Sequence, residues 1–239
     1  MHNDRLAVLL PSRFRPAGLR RAYESWRTHS VASDIVFGFQ EGDATLDENL
    51  AIAAGHPHHL FSNIGLAAKA NALCEAMPGY AGYMILNDDH VIQTPGWDRK
   101  LLDVIDENAR EHGHRIVIPH WRDGIHDERL AQGFVTAELL AVTGTYLPRG
   151  YMRHLFTDNY FMTIGQVCGI LRYVGEVFIE HLHFHNGKAA LDANYAETQN
   201  NEAYQREEVA FRRWLNEAGL PTTTAILSAI VAATGRPVR

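Results

Sequence analysis

Tyr80-Ala-Gly-Tyr-Met-Ile-Leu86 runs without a break into Asn87-Asp88-Asp89-His90, and the fold of the chain turns on that change of character. The first part is a short, nearly continuous apolar run, as expected of a strand buried in a parallel sheet. The polar residues that follow therefore stand at the strand's carboxyl end, the edge at which open α/β sheets bind ligands. Two adjacent carboxylates there are costly unless a cation or strong donors offset them, so a divalent metal explains the pair economically. Taken alone, an Asp-Asp pair more often serves as a solvated turn or a helix cap. The surrounding sequence decides between the two.

Upstream, Leu6-Ala-Val-Leu-Leu10 is a strand-like run ended by Pro11, and Ala17 to Thr28 has helix-period apolar positions at Leu19, Tyr23 and Trp26. Asp34 to Phe39 repeats the strand signal, Gln40 to Asp43 is rich in turn formers, and Leu46 to Ala54 reads as helix. His58 to Phe61 is a further strand candidate and Ile64 to Met77 a helix. Downstream, Pro95-Gly96 precedes a helix from Trp97 to Glu111, and Arg115 to Pro119 supplies another strand. The alternation implies a mostly parallel central sheet flanked by helices. Beyond it, Val135 to Tyr146 is helix, or strand plus loop. Thr157 to Cys168 reads as helix, Tyr173 to His183 as strand and Glu202 to Ala218 as helix. Thr222 to Thr234 is an apolar helix between Pro221 and Gly235. Its apolar positions Ile226, Leu227, Ile230 and Val231 either cover the core or form a homodimer interface, with core cover favoured.

The chain has 239 residues, enough for one α/β unit with a C-terminal appendage. The expected division is a single domain over 1–220, with halves at 1–120 and 121–200, and a C-terminal helix and tail at 221–239. No apolar run is long enough to cross a bilayer. Met1-His2-Asn3-Asp4-Arg5 lacks the pattern of a secretory signal, so no membrane insertion and a cytoplasmic location are the expectation. Cys74 and Cys168 each lie in a helical segment, which argues against a disulfide framework or a thiolate metal site. A net charge of −6 disfavours general affinity for polyanions, although Arg13, Arg15, Arg20 and Arg21 concentrate positive charge locally.

A second cluster, Glu180-His181-Leu182-His183-Phe184-His185, gives the carboxylate pair its context. Side chains two apart share one face of a strand, which would aim His181 and His183 into one site. Imidazole beside carboxylate oxygens suits manganese or another transition metal better than magnesium. Asp158, in Leu155-Phe-Thr-Asp-Asn159, begins a helix. It serves as a cap there, or as a general base for an acceptor hydroxyl if the helix faces the metal.

With these clusters assembled, the chain resembles family 2 and related GT-A glycosyltransferases, of the standalone type found in bacteria and phages, over roughly Leu6 to Tyr195. The resemblance rests on four segments that occur in the family's order. Leu9-Leu-Pro-Ser-Arg-Phe-Arg-Pro16 resembles the first strand and nucleotide loop, and Asn63-Ile-Gly-Leu-Ala-Ala-Lys-Ala-Asn71 the helix segment that touches the nucleotide. Tyr83 to Val91, with Pro95-Gly-Trp97, resembles the strand and Asp-x-Asp motif with its following helix. The resemblance implies a GT-A fold and a metal-dependent transfer from a nucleoside-diphosphate sugar, by default a UDP-sugar, with Mn2+ or Mg2+. It implies that Asp88 and Asp89 serve the metal and the donor, joined by His90 and by His181 or His183 as metal ligands, and that Asp158 is the catalytic acidic residue. Pro11, Ser12, Arg13, Arg15, Lys69, Asn71 and Lys188 would contact the nucleotide or its diphosphate. Two departures stand out: the third motif position is His90 or Asp89 according to where the motif starts, and Thr157-Asp158 replaces the usual Glu-Asp pair.

One carboxylate base implies inversion at the anomeric carbon. A glycan, a small molecule and a modified DNA base are all open as acceptor. A nucleotidyltransferase would carry a glycine-rich loop where Pro11 to Pro16 has none. A hydrolase built on His181, His183 and His185 would leave the nucleotide-like segments idle, and a degenerate transferase fold could act as a glycan-binding or scaffold protein.

Overall fold

β1 (Asn3–Pro11) is apolar from Leu6 to Leu10 because it lies in the middle of a sheet covered on both faces. In the computed structural model, which describes residues 3–125, 130 and 132–235, β1 pairs in parallel with β2 (Ser33–Gln40) and with β4 (Tyr80–Ile85). β2 in turn pairs in parallel with β3 (His58–Phe61). β7 (Phe134–Thr136) runs antiparallel along the free side of β4, so the sheet order is β3-β2-β1-β4-β7. Helices α1 (Pro16–His29), α2 (Leu46–Ile52), α3 (Leu66–Ala76) and α4 (Trp97–His112) connect the strands. Alternate residues of β1 enter two cores: Leu6, Val8 and Leu10 pack with α1 and α4, whereas Ala7 and Leu9 pack with α3 and the C-terminal helices.

The strand expected at Arg115–Pro119 is displaced to β6 (Ile118–Arg122) and leaves the central sheet. The position beside β4 is taken by β7, so β6 pairs instead with β8 (Leu171–His181) in parallel. β5 (His90–Ile92) pairs antiparallel with the other side of β8, completing a small sheet in the order β5-β8-β6. β8 starts earlier and ends earlier than the expected Tyr173–His183. The segment expected as helix or strand at 135–146 is β7 followed by α5 (Ala137–Thr143) and a loop.

The C-terminal part contains α6 (Thr157–Cys168), α7 (Ala193–Thr198), α8 (Asn201–Trp214) and α9 (Leu220–Thr234). Pro221 does not break the chain as expected. Residues Leu215–Gly219 form a π-helical turn that joins α8 to α9, and Pro221 sits in the first turn of α9, where its missing N–H and fixed φ are tolerated. α9 buries Ile226 and Ile230 in the core and packs on α5 and α6, which agrees with core cover. The tail at 236–239, like Met1 and His2, lies outside the described residues. Cys74 and Cys168 are buried free thiols. Among the described residues no helix is long and apolar enough to cross a membrane.

Trp214 ties this C-terminal layer to the rest. It is fully buried, edge-on to Tyr160 of α6 and stacked on Phe211. Trp214→Ala is expected to lower unfolding stability by about 3–5 kcal/mol in a single cooperative transition. A separate, low-temperature transition in chemical denaturation would show instead that α8 and α9 fold independently.

Candidate active site

The small sheet brings Asp89, His90 and His181 together. β4 ends at Ile85, and the turn closed by His90 N donating to Asn87 O directs the chain into β5. His90 is thereby placed opposite His181 in the β5–β8 ladder, with their rings stacked at 4.1 Å between centroids. Leu182 N donates to Asp89 O at 2.7 Å, which fixes the second Asp against the end of β8. One ligand atom from each of Asp89, His90 and His181 lies within 4.8 Å of the others. His90 Nδ1 is 2.9 Å from Asp89 Oδ1 but off the line of a hydrogen bond, so both atoms and His90 Nε2 are buried without partners. Orphaned carboxylate and imidazole acceptors in one place are the donor set that a borderline divalent cation satisfies. The two histidines also act on Asp89 directly. Burial would raise its carboxyl, but His90 and His181 hold it well below the usual carboxylate range. His90 itself is lowered by burial and by His181.

Asp88 points the other way, into the loop after β1. Ser12 Oγ donates to Asp88 Oδ2 at 2.7 Å and Arg15 Nη1 to Oδ1 at 3.2 Å. Burial and the neighbouring Asp89 nevertheless raise Asp88 to about 6. The approach of α1 to this motif depends on Gly18, where a Cβ would lie 2.5 Å from Asp88 O, a backbone atom that cannot turn aside.

A strap from β8 to α7 crosses the same loop. Arg15 makes a two-point ion pair with Asp192, at 2.6 and 2.8 Å, and its guanidinium stacks on Tyr195. Tyr195 OH donates to Asp89 Oδ2 at 2.7 Å, and Arg13 pairs with Glu197. Beneath the strap lies a cleft with a cavity volume of about 260 Å³.

Most of the residues singled out in the sequence meet at this cleft: Pro11, Ser12, Arg13, Arg15, Lys69, Asp88, Asp89, His181 and Asp158 all line it, and His90 stands behind them. Asp158 is in the first turn of α6. Three residues are placed elsewhere. Asn71 is buried and holds the 145–147 loop through Leu147 N, Leu147 O and Thr145 Oγ1. Lys188 pairs with Glu180 at 2.6 Å and does not line the cleft. The ring of His183 lies edge-on to that of His181, 5.0 Å between centroids, but the strand ends at His181, and His183 caps a short 3-10 turn and does not line the cleft. Its Nδ1 accepts from His185 N and its Nε2 bonds Gln199 Oε1, so both nitrogens are engaged; burial and His181 lower it to about 4.

Sequence reasoning missed Gln40, His154, Asp192, Tyr195 and Gln199. Gln40, at the end of β2, keeps a buried side-chain carbonyl without a partner in the cleft wall, and its position at a strand's carboxyl edge was the available signal. The strap residues carry no pattern that distinguishes them from an ordinary loop.

Lys69 is 5% exposed and forms no hydrogen bond or ion pair from its ammonium among the described residues. Burial, with Arg13 beside it, lowers it from 10.5 to about 8. Below pH 8 both the folded and unfolded protein hold this proton, and the full cost of burying the charge falls on the folded state. As pH rises from about 8 toward 10.5 the folded protein loses the proton first and the cost disappears. Lys69→Met is therefore expected to stabilise the protein by about 1–3 kcal/mol at pH 7, with the gain shrinking above pH 8. Thermal melts of both proteins across that range check it; a variant less stable at pH 7 would contradict it.

No protein-family model matches the sequence, and no curated protein is similar enough in sequence to count as a relative. Solved structures share the fold. The chain is similar to Staphylococcus aureus TarS, with a TM-score of 0.55, 11% identity, and coverage of 96% of this chain and 49% of that one. It thus spans about half the length of TarS. It is similar to the mannosyltransferase PcManGT from Pyrobaculum calidifontis, solved with GDP-Man and Mn2+, at a TM-score of 0.54, 14% identity, and 96% and 75% coverage. It is also similar to glucosyl-3-phosphoglycerate synthase from Mycobacterium tuberculosis, solved with Mn2+, UDP and glucosyl-3-phosphoglycerate. There the TM-score is 0.52, the identity 11%, and the coverage 98% and 81%. The arrangement is the GT-A fold, as the resemblance implied.

Proposed function

We propose that this chain is a metal-dependent glycosyltransferase that moves a sugar from a nucleoside-diphosphate sugar, by default a UDP-sugar, to an acceptor hydroxyl. The observation that carries the proposal is the close cluster of Asp89, His90 and His181, in which Asp89 Oδ1 and both ring nitrogens of His90 are buried without hydrogen-bond partners, beside the arginines of the β1 loop. The neighbours solved with Mn2+ and UDP or GDP-Man support the same substrate class. Asp89, His90 and His181 would hold the ion, which when bound offsets charge on the diphosphate leaving group. Arg13 and Arg15 would bind the diphosphate, whose place beside them is taken in this structure by acids of the same chain. Asp192 meets Arg15 in the two-point geometry that a phosphate also uses, and Glu197 meets Arg13. The donor would displace both carboxylates and open the strap.

Asp158 would take the proton of the acceptor hydroxyl as its oxygen bonds to the anomeric carbon and the bond from that carbon to the diphosphate breaks. A base on the face opposite the leaving group gives inversion. An acceptor hydroxyl on a glycan, a small molecule or a modified base fits this chemistry equally. The His-cluster hydrolase has less support, since both nitrogens of His183 are engaged.

Calorimetric titration with a panel of nucleoside-diphosphate sugars is expected to show binding of at least one donor with Mn2+, weakened at least tenfold or so by its removal or by Asp89→Ala. Equal binding with and without metal would overturn the proposal. Asp192→Asn, which loosens the strap without touching the donor, is expected to tighten nucleotide binding about three- to tenfold. Weaker binding in that variant would show that Asp192 supports the donor site instead of competing for it.

A further inference from the structure

The part of the cleft that carries Asp158 is lined differently from the part assigned to metal and donor. Ser12, Arg13, Arg15, Asp88 and Asp89 are polar throughout, whereas the turn into α6 and the start of α3 mix apolar Leu66, Leu155 and Phe156 with the polar ends of Asn63, Thr157 and Asp158. Phe156 is the exceptional residue there. Its backbone is left-handed, at φ 62 and ψ 11, and among the described residues only one other non-glycine residue, Phe14, has a positive φ. A glycine would adopt this conformation without steric cost, and a bulky side chain is disfavoured in it. Turn geometry alone therefore gives no reason for a phenylalanine, and the reason lies in its ring.

Part of that reason is internal packing. Phe156 stacks on Phe211 of α8, at 5.7 Å between centroids and 20° between planes, and Phe211 in turn stacks on the buried Trp214. A ring needed only for packing would be covered, but Phe156 is partly exposed and lines the cleft. Tyr204, two turns before Phe211 on α8, lies 4.9 Å from Phe156 and is 53% exposed. The rings thus form an aromatic strip that leads from the core to solvent by way of the cleft. The strip is held firmly, because the buried Glu207 carboxylate of α8 accepts from Arg153 N and His154 N, and Ala67 N of α3 donates to Arg153 O. Both ring partners of Phe156 among the described residues are on α8, and neither is on the β1 loop that carries Arg13 and Arg15.

A wall with an apolar face and polar edges matches a molecule divided in the same way. A pyranose ring presents a flat C–H face that packs on an aromatic ring, and it carries its hydroxyls around the edge. Asp158 follows Phe156 by two residues and lines the same cleft, so a sugar resting on Phe156 offers a hydroxyl to the base. A nucleobase has a flat face as well, but in a nucleic acid it comes on a phosphate chain. A protein of net charge −6, with the exposed Asp158 close to the ring in sequence, repels such a chain. We propose that Phe156, extended by Tyr204, is the platform on which the acceptor lies, so that the acceptor is a carbohydrate whose pyranose ring stacks on Phe156 and turns one hydroxyl to Asp158. The inference rests on the transferase reading and adds the acceptor class that this reading leaves open.

The test is saturation-transfer NMR on the full chain loaded with magnesium and UDP. The probes are the methyl glycosides of glucose, galactose, mannose and N-acetylglucosamine, with 2′-deoxycytidine in parallel. At least one methyl glycoside is expected to receive saturation on its ring C–H protons. Phe156→Gly, which keeps the left-handed turn and removes the ring, should cut that signal at least about fivefold, and Tyr204→Ala about twofold. UDP affinity, measured by calorimetry, should change less than about twofold in both. Melting curves establish that each variant is folded. An unchanged glycoside signal in folded Phe156→Gly, or no signal from any glycoside in the UDP-loaded protein, overturns the proposal. Saturation of deoxycytidine alone would assign the ring to a nucleobase acceptor, and a loss of UDP binding in Phe156→Gly would assign it to the donor; either result contradicts the platform. If the unaltered protein binds no nucleotide, the transferase reading falls first and the acceptor role falls with it.

Discussion

Two carboxylates side by side at the end of a buried strand are the constraint around which this molecule is arranged. Neither Asp88 nor Asp89 can be left in the interior as an isolated charge, and the fold handles them in opposite directions. Asp88 is given hydroxyl and guanidinium donors from the β1 loop. Asp89 accepts from the Tyr195 hydroxyl through Oδ2 and has the imidazoles of His90 and His181 beside it, with Oδ1 left for a cation. That division explains why β5 breaks away from the central sheet: only an antiparallel pairing with β8 sets His90 across from His181 beside Asp89. It also explains Gly18, because α1 must come close to Asp88 O for Arg15 to reach the carboxylate.

The same electrostatic logic extends to the strap. The basic residues of the β1 loop carry a cost of their own unless anions meet them, and Asp192 and Glu197 supply those anions. The strap is thus held by contacts that a ligand of higher charge, such as the proposed diphosphate, would outcompete. Lys69 has no such internal substitute, which sets it apart from Arg13 and Arg15.

Much of this was legible in the sequence because strand burial and motif position are local properties. The run Leu6–Leu10, the run Tyr80–Leu86 and the polar residues after them sufficed to place the central sheet, its carboxyl edge and the Asp pair. What was not legible depended on pairing between distant segments. The alternation rule placed His183 beside His181, and their rings do meet, but Asn186 Oδ1 accepts from His183 N in a capped turn that ties up both nitrogens of His183. β6 was read as a continuation of the alternating pattern, yet the place beside β4 is settled by β7, sixteen residues further along the chain from Ile118 to Phe134. Pro221 looked like a break because its lost N–H matters in a regular helix, and the π turn before it removes the objection. Asn71 and Lys188 sat in segments of the right kind but turn away from the cleft toward the 145–147 loop and Glu180.

The central claim is that Asp89, His90 and His181 form a metal centre, and spin-echo spectroscopy of the Mn2+-loaded protein tests it most directly. Imidazole nitrogens coordinated to Mn2+ give a characteristic modulation of the echo. The expected result is a signal from two histidines in the unaltered protein, reduced to one in His181→Ala and abolished with binding in Asp89→Ala. Bound Mn2+ with no histidine modulation, or the same spectrum in all three proteins, would contradict it.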